Sequence, residues 1–289
     1  MNEEMKPTQK RAGMSLKSLP FDLLLDAGSA PEAIPRVDLL KHGGYVAFLG
    51  RLMREYGVGP RGVIHLGANI GQESVPYMLM NFEKVFYVEA HPEVYDELKH
   101  NLEQLALLEN ELAAFLRTQP VTKFAAFNGA VGDRAGETSF FVTCSNLFSS
   151  THKPVDFSGW VDYIVERSAP AEAVEFLSWA STAFEVSREL QVRMRMLDTI
   201  MSDELPDGWR PEDFNVLAMN LQGGELDALR GAGKILSHIE LIQTEVNYWE
   251  HYLDNPQPEE IHRFLTAAGF REILPLRAGP VGTSVYIRR

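Results

Sequence analysis

Residues 62–74 read GVIHLGANIGQES, an apolar run broken by two glycines and an asparagine. Gly67 ends a strand-like run and Gly71 opens a helix-like one. A turn this bare of side chains lets a small ligand lie against backbone and helix N–H groups. The next apolar run ends in Glu89, 22 residues after Gly67. An acidic side chain at that distance in such βαβ units accepts hydrogen bonds from ribose hydroxyls. Asn69 stands where a dinucleotide fingerprint carries its second glycine, which argues against close approach of a pyrophosphate. The chemistry indicated is binding of a nucleoside without phosphates, and a nicotinamide dehydrogenase falls behind. The bland alternative is a tight turn followed by a surface carboxylate.

These residues need a parallel sheet to bring them together. From residue 62 onward strand-like runs at 62–68, 84–90, 123–132, 214–221 and 239–246 alternate with helix-like stretches at 71–80, 93–117 and 224–236. That alternation predicts βαβ units and a mostly parallel sheet covered on both faces. Pro92 opens the second helix. A helix over 258–268 stops at Gly269, and FREILPLR and GTSVYIRR follow as a hairpin that closes the sheet with an antiparallel edge strand. A second hairpin around Gly132–Gly136 is expected to pair KFAAFNGAV with ETSFFVTC. Residues 1–61, with helical stretches around 36–56, read as an N-terminal extension or cap. Residues 145–190 read as a lid-like insertion in the unit spanning 62–289. No linker, repeat or low-complexity segment divides the chain.

Composition narrows the partners. The chain has 289 residues, 45% of them hydrophobic, enough for one large α/β unit. Its 27 Lys plus Arg face 40 Asp plus Glu, and the net charge of −13 opposes binding to nucleic acid in the absence of a basic cluster. Cys144 is the single cysteine, so neither an intrachain disulfide nor a thiolate-rich metal site can form. No apolar run reaches the length of a membrane span. The reading is a cytoplasmic protein that acts on a small molecule or glycan, with homo-oligomerisation left open.

The motifs HLGANIGQES, VFYVEAHPEVYDELKHNL, FNGAVGDRAGETSFF, RMLDTIM, NLQGGELDALRGA and IQTEVNYWEHYLDNPQPEEIHRFLTAAGF occur in that order. They resemble the successive motifs of FkbM-type S-adenosylmethionine-dependent methyltransferases over about residues 62–289, with QGGELDALRGA followed by EVNYWE the most specific part. The resemblance implies the Rossmann-like class I methyltransferase fold, a mostly parallel seven-stranded α/β sheet with helices on both faces and an antiparallel C-terminal strand. It also implies bound S-adenosyl-L-methionine and O-methylation of a saccharide or related natural-product hydroxyl. Gly67, Ala68, Asn69 and Gly71 then match the methionine and ribose loop, with His65 in place of the aspartate common before it. Glu89 matches the ribose acid, followed by Ala90 and His91. Asn128, Gly129 and Ala130 match the adenine edge. Gln222, Gly223 and Glu225 match a D-x-Q-G-x-E pattern in which Asn220 replaces the leading aspartate.

Methyl transfer from a sulfonium is chiefly a matter of positioning, but an alcohol acceptor also needs somewhere for its proton to go. Glu245, Glu225, His91 and His152 are the candidate bases. Glu245 ranks first, at the C-terminal end of the fifth strand, against the alternative of a carboxylate that only holds a loop. Glu225 opens a helix, where an acidic residue is favoured whatever its function. His152 lies in SNLFSSTHKP, whose Ser149, Ser150 and Thr151 could bind a polar acceptor or form a plain surface loop. Asn220, Glu245 and Asn247 make an oxygen-rich set for Mg²⁺, weakened by the missing aspartate. Tyr248, Trp249 and Tyr252 read as a stacking wall or as packing of a cap. Loss of the aspartate also leaves room for a binding module that keeps the donor pocket without turnover, because an amide cannot carry a proton away.

Overall fold

The computed structural model describes residues 44–116, 122–168 and 170–289. Helix α1 (Gly44–Glu55) leads to β1 (Gly62–Leu66), α2 (Ser74–Leu79), β2 (Lys84–Glu89), α3 (Pro92–Leu116) and β3 (Lys123–Asn128). The chain then leaves the alternation through β4 (Ala130–Val131), β5 (Gly136–Thr143), α4 (Gly159–Arg167), α5 (Pro170–Ala183) and β6 (Val186–Arg195). It returns with α6 (Leu197–Asp203), β7 (Val216–Met219), α7 (Glu225–Arg230), β8 (Leu241–Asn247) and α8 (Pro258–Ala267), and ends in β9 (Phe270–Ala278) and β10 (Val281–Arg288).

The seven-stranded sheet has the order β3-β2-β1-β7-β8-β10-β9. The first five strands are parallel, and β10 runs antiparallel to both neighbours. This is the class I methyltransferase arrangement. Its central strands are buried on both faces, which is why they appear in the sequence as unbroken apolar runs. Ile64, Leu66, Phe86, Val88, Leu217 and Met219 pack on the face covered by α6, α7 and α8. Val63, Val85, Tyr87, Val216 and Ala218 pack on the face covered by α1, α2 and α3. Each fully buried Val, Leu, Ile or Phe contributes on the order of 1.5–3 kcal/mol relative to exposure. The strand order reverses between β1 and β7, so a crevice opens at their C-terminal ends, where ligands of open α/β sheets bind.

The structure corrects two expectations. The antiparallel strand is not at the edge: β10 lies between β8 and β9, and β9 is the edge strand. The hairpin around Gly132–Gly136 does not form. β3 stops at Asn128, the chain bends at Gly129, and the segment ETSFFVTC pairs instead with β6, about fifty residues downstream. The result is a separate three-stranded sheet of order β4-β6-β5. Its inward residues Phe140, Val142, Val192 and Met194 pack with Ala130 and Ala90. The N-terminal extension is seen as α1; the expected helical stretch before residue 44 lies outside the described residues. The segment predicted as lid-like forms α4 and α5, built on Trp160, Ile164 and Ala173, before β6 begins. Among the described residues no helix is long and apolar enough to cross a membrane.

Candidate active site

Strand register places the functional candidates in one row across the crevice. Glu89 pairs with Asn128, Leu66 with both Val88 and Met219, Met219 with Thr244, and Glu245 with Thr283. One residue beyond Leu66 and Met219, Gly67 therefore stands between Glu89 and Asn220, and Asn220 beside Glu245. Gly67 N–H donates to the Val88 carbonyl at 2.9 Å, and Asn220 N–H to the Leu66 carbonyl at 3.0 Å. A Cβ on Gly67, whose φ is +74°, would overlap the Asn220 carbonyl. The glycine thus serves first to let β1 and β7 approach each other, a reason the loop motif alone does not reveal.

At the Glu89 end the loop is held by the carboxylate itself. Asn69 N–H donates to Oε2 at 2.8 Å and His91 N–H to Oε1 at 2.8 Å. Burial pushes the Glu89 carboxyl upward, and the N–H groups of His91, Asn69 and Ala90 pull it back. Asn69 adopts φ +48° and Gly71 φ +82°, so the turn from β1 into α2 is left-handed at three positions. Asn128 Nδ2 and the N–H of Gly129 both bond the Glu89 carbonyl, at 2.9 and 3.0 Å, while Ala68 and Ala130 are buried beside them. His65 does not reach the loop surface. Its buried ring lies against Tyr77 and Tyr87, with Nδ1 3.0 Å from the Tyr77 hydroxyl, and burial lowers its pKa.

At the other end two carboxylates meet. Glu225 is fully buried and accepts N–H bonds from Leu221 at 2.8 Å and Gly223 at 3.1 Å. It fastens the 220–224 loop, in which Gln222 adopts φ +55° and Gly223 φ +102°. Burial raises Glu225, but these backbone donors oppose the rise. Glu245 lacks comparable backbone donors. Burial, then repulsion from Glu225, push its carboxyl up to about 8, against a hydrogen bond from the Gln222 side chain. Both carboxyls are thus displaced toward their protonated forms. The Asn220 side chain is exposed in the crevice, and its Oδ1 accepts Gln222 Nε2 at 2.6 Å, so this member of the proposed Mg²⁺ set already has a partner. Asn247, two residues beyond Glu245 on β8, is 1% exposed, with neither side-chain polar atom partnered.

His152 lies across the 220–224 loop as a clamp. Its Nδ1 is 3.1 Å from the Leu253 carbonyl and its Nε2 3.6 Å from Asp227. Burial lowers the imidazole, but Asp227, the Leu253 carbonyl and Glu225 more than reverse this and leave it above its ordinary value. With both nitrogens facing acceptors, the protonated ring is favoured and His152 is poorly placed to act as a base. Ser149 and Ser150 are likewise engaged, with Thr143 and with the Gln222 carbonyl.

Two residues of the small sheet, neither of them a site candidate in the sequence, join the Glu89 end. Phe140 meets His91 edge-on with centroids 6.1 Å apart. Arg188 lies 3.5 Å from His91 Nε2 and pairs with Glu93 at 2.8 Å. Burial and Arg188 lower the His91 pKa, and its buried Nδ1 has no partner. The alternation of Leu190, Val192 and Met194 with polar residues was the available signal for this strand. Of the aromatic trio, Tyr252 is buried, Trp249 is exposed and donates to Asp156 at 2.8 Å, and Tyr248 lies under Arg277.

The chain matches the family described as Methyltransferase FkbM domain over residues 65–272. No curated protein matches it. A solved FkbM methyltransferase from Methylobacillus flagellatus KT is 12% identical with a TM-score of 0.46, covering 79% of this chain and 44% of that one. The chain thus spans less than half of that protein's length. A ribosomal protein L11 methylase from Lactobacillus delbrueckii subsp. bulgaricus is 13% identical with a TM-score of 0.41, covering 86% of this chain and 78% of that one. Magnesium protoporphyrin IX methyltransferase from Synechocystis PCC 6803, solved with bound SAM, is 10% identical with a TM-score of 0.41, covering 97% and 100%. Similarity this low carries no information about an acceptor. With the family's domain matched over more than half of its length, and the strand order and carboxylate row in place, the chain belongs to the FkbM methyltransferase family.

Proposed function

We propose that this methyltransferase uses S-adenosylmethionine to methylate a hydroxyl of a saccharide or related natural-product acceptor. The observation that carries the proposal is Glu245. Burial and the nearby Glu225 push this carboxyl up to about 8, and it sits at the far end of the row that begins with Asn128 and Glu89. A base of that strength is matched to taking a hydroxyl proton near neutral pH.

The residues present fit the donor. Each Glu89 oxygen accepts one backbone N–H and keeps a lone pair for a ribose hydroxyl. The unpartnered buried Nδ1 of His91 supplies polarity next to it. When bound, S-adenosylmethionine supplies a methyl on a sulfonium whose leaving group is a neutral thioether. The chain's own work is to orient and to move one proton. Asn69, Glu89 and Asn128 fix the nucleoside side, and Glu245 receives the acceptor's proton as the new oxygen–carbon bond forms. Glu225 stays bound to the Leu221 and Gly223 N–H groups throughout. Trp249, 44% exposed just beyond β8, offers a flat face for a sugar ring.

The test is single-turnover transfer of labelled methyl to fractionated glycan and metabolite extracts. Glu245→Gln should keep donor affinity and lower the rate by roughly 10²–10⁴. A wild-type rate in that variant would refute Glu245 as the base. Transfer only to nitrogen or carbon acceptors would refute the hydroxyl assignment.

A further inference from the structure

Beyond Glu245, under the α4–α5 cap, polar atoms of two side chains are buried without hydrogen-bond partners among the described residues. Asn247 is 1% exposed and His251 3%, and neither atom of the Asn247 amide nor His251 Nε2 is partnered. Asn247 follows Glu245 by two residues on β8, so both side chains rise from one face of the sheet, about 7 Å apart along the strand. Register sets Glu245 opposite Thr283 and Asn247 opposite Val281. Val281 packs against Trp160, Ile164 and Ala173, which places the cap over that same face. His251 touches the same cap, its ring stacked with Trp160 at a centroid distance of 6.3 Å and an interplanar angle of 22°.

The unpartnered atoms differ in kind, and that difference selects a ligand. His251 Nδ1 lies 2.9 Å from the Asp156 carbonyl, which only accepts, so this nitrogen carries the proton. Burial lowers the pKa of the ring and favours its neutral form, which leaves a lone pair on Nε2. Asn247 offers an NH₂ donor and a carbonyl acceptor. An ammonium group cannot accept from the NH₂, and a carboxylate cannot donate to Nε2. A hydroxyl does both. Buried polar atoms without partners destabilise a fold, so their place beside the crevice points to a ligand that completes them. We propose that Asn247 and His251 form a subsite for further hydroxyl groups of a polyhydroxylated acceptor, a saccharide ring, whose reacting hydroxyl lies at Glu245. The proposal rests on the reading of Glu245 as the base and extends it from one hydroxyl of the acceptor to several. Trp160 and Val281 close over the subsite in the free chain, so the acceptor enters by displacing α4 from Val281.

The experiment uses the full chain saturated with S-adenosylhomocysteine, with the methyl pyranosides of glucose, galactose, mannose and rhamnose as probes. Protein labelled with ¹⁵N at asparagine side chains is titrated by NMR, and the Asn247 NH₂ pair is identified by its loss in Asn247→Leu and in Asn247→Asp. At least one glycoside should shift that pair. By saturation-transfer NMR the same glycoside should bind Asn247→Leu and His251→Phe about tenfold more weakly, the effect of one lost hydrogen bond in a buried site. S-adenosylhomocysteine affinity by calorimetry should stay within about twofold of wild type in both variants, which separates the subsite from a general loss of structure. An Asn247 pair that no glycoside moves marks an amide met by ordered water only and overturns the subsite. Undiminished glycoside binding in both variants also overturns it. A glycoside that binds through Asn247 while labelled methyl reaches no hydroxyl acceptor refutes the methylation reading instead and leaves the subsite standing.

Discussion

Replacing Glu245 with glutamine should stabilise the protein, and more so as pH rises. The carboxyl is moved from an ordinary 4.5 to about 8 by burial and by Glu225. Between those values the folded chain holds a proton that the unfolded chain has released, so wild-type stability falls with increasing pH across that window. At about 1.4 kcal/mol per unit the ceiling on the loss is about 5 kcal/mol. Solvent reaching the crevice screens the site, and a discounted value of about 2 kcal/mol is the working expectation. The amide of Glu245→Gln resembles the protonated carboxyl in shape and does not titrate. The stability gap between variant and wild type should open above about pH 4.5, grow to about 2 kcal/mol near pH 8 and flatten beyond. Urea unfolding of both proteins at four or so pH values within that range measures it. A gap that does not change with pH would mean Glu245 titrates normally, and the argument for a base tuned by its surroundings would fail with it.

Glu89→Ala should weaken S-adenosylhomocysteine binding by about 1.5–3 kcal/mol, because ribose hydroxyls lose a charged acceptor. Unchanged affinity in calorimetry would end the ribose assignment. Gly67→Ala should fail to fold or lose much of its thermal stability, since its Cβ overlaps the Asn220 carbonyl at a φ of +74°; a wild-type melting curve would show that β1 and β7 can part. For His152, raised in the folded state by Asp227 and the Leu253 carbonyl, the stabilisation is fully present below its unfolded value of 6.5 and lost as pH climbs through the higher folded value. His152→Ala should therefore cost about 1 kcal/mol at low pH and progressively less above, and a cost that grows with pH would refute the clamp.

What was legible in the sequence was what repeats locally. Strands β1, β2 and β7 are apolar along most of their length because both faces are covered, so they stand out without any partner being known, whereas β3 and β8 carry more polar residues and are marked by their place in the alternation. The glycine loop and Glu89 were legible because a fixed βαβ geometry ties one to the other. β6 was not, because its pairing with β5 spans about fifty residues and its surface-facing side chains are charged. KFAAFNGAV and ETSFFVTC looked like a hairpin because the turn signals of Gly132 and Gly136 are real; β3 is taken instead by β2. Tyr252 was hidden for another reason. An aromatic residue in a loop next to two others gives no indication that it is buried with its hydroxyl on Gln222.

The loss of aspartate at 220 also takes on a different meaning once the charges are placed. Glu225 is held at its oxygens by two backbone N–H groups, and Glu245 stands beside it with its carboxyl raised to about 8. An aspartate at 220 would put a third carboxylate next to this pair, and like charges at such range raise one another. Glu245 would then hold its proton past the pH at which a base is needed, unless a divalent cation or an ammonium group of the ligand offset the excess. Asn220 presents its carbonyl oxygen to Gln222 at the same place without adding charge. Burial and Glu225 then raise the Glu245 carboxyl without a further negative neighbour, and the Gln222 side chain draws it down. The substitution that on sequence alone looked like a catalytic group removed is, under the proposal that Glu245 is the base, what keeps a third carboxylate from raising that base further.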